Sequence, residues 1–311
     1  MASYLVTGGA GFIGSHVVEA LVAGGERVRV VDDLSTGRRE NLRHIDGVDF
    51  VVGDLADPAV ADGAVDGIDY VIHLAALPSV PGSIKDPLTW NRANVTGTLS
   101  LLVAAQRYAV KRFVFASSSS VYGNAATLPV REDMLPKPLS PYALQKLTGE
   151  QYLRLFYELH GLETVSVRYF NVFGPRQDPA SPYSGVISLF ARCLVEDRAP
   201  NIHGDGEQTR DFTYVRNVVD GTLRACVSPG AAGQVCNVSC GGRVSLNTLF
   251  RTMRAMTESR VEPEYTEPRV GDVRDSQADI TRAKELLGYE PTVFLEEGLE
   301  TTIAWCRVRT R

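Results

Sequence analysis

Ser118 and the run Tyr142-Ala143-Leu144-Gln145-Lys146 are the residues best suited to chemistry. Tyrosine and lysine four apart on a helix share a face, so the ammonium can approach the phenol. A neighbouring positive charge lowers a phenol pKa from its usual value of about 10 towards the range useful for a base at neutral pH. Ser118 closes the apolar run Phe113 to Ser117, where a hydroxyl can bond a substrate oxygen and relay its proton. The expected catalytic set is Ser118, Tyr142 and Lys146.

A second constellation stands at the N-terminus. In Thr7-Gly8-Gly9-Ala10-Gly11-Phe12-Ile13-Gly14, the glycines Gly8 or Gly9, Gly11 and Gly14 permit a tight turn with a bare backbone. A pyrophosphate can then sit on the following helix N-terminus. Asp32, at the end of the next strand, is placed to accept hydrogen bonds from a ribose diol. An acidic residue there repels a 2′-phosphate, which favours NAD over NADP even with Arg38 and Arg39 downstream. Asp54 and Leu55, and then Leu74, Ala75 and Ala76, fall where strand ends line such a crevice. His73 reads as a packed, satisfied histidine outside the chemistry.

Positioning these residues requires alternating strands and helices. Tyr4 to Thr7, Arg27 to Val31, Phe50 to Val52, Tyr70 to Leu74, Phe113 to Ser117 and Thr164 to Arg168 read as short strands, apolar on both faces. Ile13 to Ala23, Pro87 to Ala109 and Tyr142 to His160 read as helices. The alternation predicts an α/β fold, a doubly wound parallel Rossmann sheet. Residues 1–170 form the expected NAD-binding domain. Residues 171–311, richer in Pro and Gly, form a smaller C-terminal substrate-binding lobe, with segments near 212–240 returning to the sheet.

Composition narrows the classes. The chain has 311 residues, 44% hydrophobic and 22% charged, the balance of a globular protein. With a formal net charge of −5 and no basic stripe, no nucleic-acid partner is expected. No apolar run approaches the roughly 20 residues that cross a bilayer, and with the first strand beginning at once no signal segment is expected. Five scattered cysteines, with Cys236-x3-Cys240 lacking zinc spacing, predict reduced thiols, a cytoplasmic protein and no metal. Two helices carry wide apolar stripes: Val95, Leu99, Leu102 and Val103, then Leu144, Leu147, Leu153, Leu155, Phe156 and Leu159. These suit core or a helix-pair interface, and a homodimer through the two helices is expected.

The combined motifs resemble the extended short-chain dehydrogenase/reductase family, and within it the UDP-hexose 4-epimerases. The resemblance spans essentially the whole chain. It is carried by Gly8 to Gly14, Asp32-Asp33-Leu34-Ser35, Ala116 to Gly123, Ser140-Pro141-Tyr142-x3-Lys146 and Arg168 to Pro175. Gly204-Asp205-Gly206, Thr209-Arg210-Asp211-Phe212 and Arg269-x-Gly271-Asp272 extend it. It implies reversible C4 inversion of a UDP-linked sugar through a 4-keto intermediate, with bound NAD regenerated each cycle. Tyr142 would take the 4-hydroxyl proton, Ser118 would bond that oxygen, and Lys146 would hold the nicotinamide ribose.

The resemblance also implies a cofactor set that adds Phe12, Ile13, Asp33, Asn94, Ser117 and Tyr169, the last beside the nicotinamide. The implied substrate set is Pro78, Ser118, Ser119, Ser120, Asn171, Gln177, Gly185, Val186, Arg210, Arg269, Asp272 and Ser276. Arg210 and Arg269 match diphosphate clamps, and Asp272 a uridine-ribose contact. A small residue at 276 leaves room for an N-acetyl group, whereas the stiff ring of Pro78 narrows the pocket. Dehydratases and decarboxylases of the family place acidic residues where this chain has Ser119 and Ser120, so both activities are disfavoured. Acceptance of UDP-GlcNAc/UDP-GalNAc alongside UDP-Glc/UDP-Gal is the leading expectation. A UDP-glucuronate 4-epimerase is the alternative, with the serine run or Arg176 facing the sugar carboxylate. A non-catalytic NAD-sensing protein is a further alternative, disfavoured by the intact Tyr/Lys pair.

Overall fold

The structure is a computed structural model and describes residues 1–178, 185–268 and 273–309. Its first half alternates β1 (Ser3–Thr7), α1 (Phe12–Ala23), β2 (Arg27–Asp32), β3 (Asp49–Val52), α2 (Pro58–Val65) and β4 (Tyr70–His73). Then come α3 (Val80–Lys85), α4 (Pro87–Asn91), α5 (Gly97–Arg107), β5 (Arg112–Ser118), α6 (Pro141–His160) and β6 (Thr164–Tyr169). Short pieces follow: β7 (Asn171–Phe173), α7 (Val186–Val195), β8 (Asn201–His203), β9 (Thr209–Arg210) and β10 (Phe212–Tyr214). The chain closes with α8 (Val215–Val227), β11 (Gln234–Val238), β12 (Val244–Ser245), α9 (Leu246–Thr257), β13 (Glu264–Thr266), α10 (Thr281–Leu287) and α11 (Leu295–Arg309).

Seven strands form one parallel sheet in the order β11-β6-β5-β4-β1-β2-β3. Valines and phenylalanines of the central strands are fully buried because helices cover both faces. One core layer joins α1 and α8 to the sheet, and the opposite layer joins α2, α5 and α6. A third cluster is built by α7, α9 and α11. Gln234–Val238 pairs with β6, so the sheet draws its last strand from far downstream.

Two local expectations are corrected. The edge position of β3 leaves Val51 and Val52 37% and 52% exposed, so this strand is not apolar and covered on both faces. The helix expected from Pro87 to Ala109 is interrupted by a π turn at Arg92–Thr96. The wider turn carries Asn94 into the interior, where it is buried. The apolar stripes divide: Leu102 and Leu153 are core, whereas Val103, Leu144, Leu155 and Leu159 are exposed. Among the described residues no disulfide joins the cysteines, no cluster of three metal-ligating side chains occurs, and no helix is long and apolar enough to cross a membrane.

Candidate active site

Strand C-termini of a parallel sheet open onto one edge, and a cleft of about 890 Å3 lies there. Its first wall is backbone. Gly8 adopts φ +66°, and a Cβ on it would come within 2.8 Å of the Ala75 backbone. A Cβ on Gly14 would be driven onto the Gly8 carbonyl oxygen. Gly11 N–H donates to that carbonyl at 3.0 Å and Gly11 caps α1. Phe12, Ile13 and Gly14 open the helix, where first-turn N–H groups lack intrahelical acceptors. This bare, donor-rich corner fits a pyrophosphate.

Asp32 is buried, and its two oxygens accept from Ala10 N–H at 3.0 Å and Leu34 N–H at 2.9 Å. Burial holds its carboxyl above the usual range against those two bonds. Asp33 accepts from the backbone and hydroxyl of Ser35, and Asp54 is ion-paired with Arg92. Both line the cleft with Leu55, Leu74, Ala75 and Ala76. His73 bonds Thr7 Oγ1 at 2.7 Å and Thr98 Oγ1 at 2.9 Å, and burial pushes it down to about 3. Asn94 stands behind the wall, not on it. Its carboxamide holds the Leu77 N–H and C=O, and also bonds Gln145, bracing the loop that carries Ala75 to Pro78.

Ser117, Ser118, Tyr142, Lys146 and Tyr169 meet on the deeper wall of the same cleft. β5 and β6 end side by side with Ser118 in register with Tyr169, whose hydroxyl bonds Thr222 at 2.7 Å. Ser140 caps α6 by accepting from Ala143 N–H, and Pro141 fits the first turn. Tyr142 and Lys146 therefore begin the helix on the side facing β5. Ser118 Oγ accepts from Ser120 N–H and Ser120 Oγ, which folds Ser119 and Ser120 into the turn behind it.

The Lys146 ammonium donates to Ala116 O at 2.8 Å, lies 4.9 Å from the Phe115 ring centre and 5.9 Å from that of Tyr142. Burial draws it down to about 7, opposed by the charge of Glu150. Burial pushes the Tyr142 phenol up to about 12, opposed by a hydrogen bond with Ser118. In the protein alone desolvation raises the phenol, and the lowering expected from the ammonium is not seen.

Pro78, Phe170, Val172 and Gln177 complete the lining of the cleft. Gln177 donates to Val172 O while its Oε1 is buried without a partner, and a Cβ on Gly185 would stand 3.0 Å from its Nε2. Val186 starts α7 directly after Gly185. Asn171 bonds Asp211 O at 3.5 Å, Arg210 bonds the carbonyls of Thr209 and Arg274, and Ser276 N–H donates to Thr209 O. Asn171, Gly185, Val186, Arg210 and Ser276 lie beyond the wall of the cleft. Arg269 and Asp272 lie outside the described residues.

Four contributors have partners that the sequence does not indicate. Asp211 is fully buried, and its Oδ2 accepts from Gly241 and Ala278 N–H at 3.1 Å each. Asp275 accepts from the backbone and hydroxyl of Thr209. Arg176 lines the cleft, ion-paired with Glu19, bonded to His16 and donating to Ser15 O and Asn41 O. These partners occupy the guanidinium that was weighed for a sugar carboxylate. Arg38 bridges to Asp178 at 2.5 Å across the cleft entrance. An arginine after Gly-Pro invites attention, but only the fold brings α1 beside it.

Residues 4–239 match the NAD dependent epimerase/dehydratase family. A UDP-glucose 4-epimerase from Mycolicibacterium smegmatis is 41% identical over 99% of both chains. A UDP-N-acetylglucosamine 4-epimerase from Methanobrevibacter ruminantium, solved with UDP-N-acetylmuramic acid, superposes with TM-score 0.95 at 40% identity over 99% of both chains. A UDP-glucose 4-epimerase from Thermotoga maritima, solved with UDP-glucose, gives 0.96 at 40% identity over 99% of this chain and 100% of that one. With a glycine-built corner, an acidic strand end and a Ser/Tyr/Lys shelf in one cleft, the chain belongs to the NAD-dependent epimerase/dehydratase family and NAD is its cofactor.

Proposed function

We infer that the protein is an NAD-dependent UDP-sugar 4-epimerase, an isomerase, and we propose that it accepts UDP-GlcNAc/UDP-GalNAc as well as UDP-Glc/UDP-Gal. The observation that carries this reading is a single cleft lined by Ser118, Tyr142 and Lys146, with serines and no carboxyl group at 119 and 120. Tyr142 removes the proton of the 4-hydroxyl, and Ser118 bonds the same oxygen as it becomes a carbonyl. Bound NAD would supply the hydride acceptor and donor at C4 of the sugar, held by the glycine corner, Asp32 and the Ser/Tyr/Lys shelf, and its nicotinamide charge would draw the Tyr142 phenol down from the high value it has in the protein alone. Lys146, fixed on Ala116 O, holds a positive charge beside the same ring. Lacking a carboxyl acid or base at 119 or 120, the site stops at the ketone and reverses, instead of eliminating water or carbon dioxide.

The small side chain at Ser276 supports acceptance of an acetamido group. Gly8, Phe12, Asp32, Asp54, Ala75, Ser117 and Tyr169 are the proposed NAD contacts, and Asn171, Gln177 and Arg210 the proposed diphosphate and sugar contacts. The exposed apolar residues Val103, Leu144, Leu155 and Leu159 on α5 and α6 support a homodimer through these helices.

Proton NMR of the protein with UDP-GlcNAc and UDP-Glc in separate tubes tests the reading. A new anomeric signal of the 4-epimer in both is expected. Signal with UDP-Glc alone would remove the acetamido half of the proposal, and signal with UDP-glucuronate alone would replace both substrates. Tyr142→Phe is expected to lower kcat by about 10^3-fold while NAD stays bound. Unchanged turnover would remove Tyr142 as the base.

A further inference from the structure

Behind the Ser/Tyr/Lys shelf lies a buried ion pair that the proposed chemistry does not use. Glu150 is 3% exposed and Arg168 3% exposed. Arg168 donates from Nε to Glu150 Oε1 at 2.8 Å and from Nη2 to Oε2 at 2.6 Å. Ser117 Oγ donates to the same Oε1 at 2.5 Å. Arg168 also lies 4.6 Å over the Tyr122 ring. Ser117 and Arg168 are register partners on β5 and β6, each one residue before Ser118 and Tyr169, which face the cleft. Glu150 stands one helical turn after Lys146 on α6 and so shares its face.

We propose that Glu150 is a positioning residue for the reaction: its carboxylate pins α6 to the ends of β5 and β6 and supplies the counter-charge that keeps the Lys146 ammonium protonated inside the protein. Two observations support it independently. Gly149 lets α6 press onto β5 so closely that a Cβ there would come within 2.6 Å of the Phe115 ring, so the helix has no room to slide and Glu150 sits at its point of contact. A buried ammonium also needs a nearby negative charge, and Lys146 has few alternatives. The groups around it are Tyr142 and Glu150 on its own helix, the neutral His73 from β4, and the Phe115 ring and Ala116 carbonyl from β5. Arg168, from β6, faces Glu150 from the other side and pairs with its carboxylate. Glu150 is the group that opposes desolvation of Lys146.

The effect on activity rests on the epimerase reading, but the charge arrangement can be read without turnover. The chain has five lysines, Lys85, Lys111, Lys137, Lys146 and Lys284, and Lys146 alone is buried. Protein labelled with 13C at the lysine ε carbon therefore gives one signal titrating near neutrality, assigned by its loss in Lys146→Met. Glu150→Gln is expected to lower that midpoint by about one pH unit. A purely structural loosening would admit water and move the midpoint up towards the ordinary lysine range, so the sign of the change separates the two roles. Glu150→Asp, which keeps the charge but withdraws it by a methylene, lowers the midpoint by less, and carries the test if Glu150→Gln does not fold. In turnover, Glu150→Gln is expected to reduce kcat about tenfold with KM within about twofold, the loss deepening as pH rises. A midpoint that stays put or moves upward in Glu150→Gln overturns the proposal. A wild type that titrates as described yet epimerises no UDP-sugar would overturn the functional reading and leave the positioning inference standing.

Discussion

Gly8, Gly11 and Gly14 build one wall of the cleft from bare backbone, whereas Asp211, Asp275 and Gln177 tie the loops after β7 through side chains that reach back to main-chain groups. On that wall the closest approaches are backbone to backbone, with the turn after β1 packed against the Ala75 strand end. In the second region, the loops near 240 and 278 share one buried carboxylate. A wall of backbone tolerates no added atom but is indifferent to pH. A set of loops tied by carboxylates has room to shift, and it titrates.

Three substitutions sharpen or break this contrast, the steric one having the largest effect. Gly14→Ala drives a methyl onto the Gly8 carbonyl, so a loss of ~3 kcal/mol or more of stability is expected, with protein that purifies without NAD. Chemical denaturation and the 260/280 nm absorbance ratio measure both. Near-normal stability with NAD retained would mean that the corner is not built on close backbone contact.

Asp211 should respond to pH. Burial raises its folded-state carboxyl to about 6, while an unfolded aspartate titrates near the usual 3.8. The folded state therefore holds a proton that the unfolded state has released. Stability from this group is fully present below about pH 4 and is lost as pH rises through about 6. The difference in unfolding free energy between the wild type and Asp211→Asn is expected to fall by roughly 2–3 kcal/mol between pH 4 and 7. A difference that stays flat across that window would show that the loops tied by Asp211 are as insensitive to pH as the glycine corner.

The smallest effect is expected at Asp32, where the two regions share a device. This carboxylate lines the cleft beside the glycine corner, yet like Asp211 it accepts two backbone N–H groups. Asp32→Asn can keep only one of those bonds, so NAD affinity is expected to weaken about tenfold by calorimetry, with a measurable drop in thermal stability. Weakened NAD binding with stability unchanged would assign Asp32 to ribose recognition alone.

The parts legible in the sequence are those whose signal is local. The strand-turn-helix of Tyr4 to Ala23 declares itself within twenty residues, and the Tyr142–Lys146 spacing fixes a shared helix face before any partner is known. The parts that stayed hidden depend on partners distant in the chain. Asn94, which the resemblance puts in the cofactor set, is turned by the π turn onto Leu77, a partner the sequence does not indicate. Asp211 looks like part of a substrate motif, whereas its bonds go to Gly241 and Ala278. The phenol illustrates a third kind of miss: the charge that would lower its pKa was visible in the spacing, but the desolvation that raises it belongs to the packed protein.

The sheet order carries a consequence for how the chain is made. β6 pairs with β5 on one side, but its other edge is completed by β11, where Gln234 joins Val165 sixty-nine residues later. At about 5–20 residues per second, translation takes on the order of ten seconds to supply that strand after Val165 emerges. Throughout this interval a strand carrying the apolar pair Val165 and Val167 presents unsatisfied N–H and C=O groups along an open edge. The nucleotide-binding half is thus nearly finished early in synthesis yet cannot be sealed, and the nascent chain passes through its most aggregation-prone stage while the second lobe is being translated.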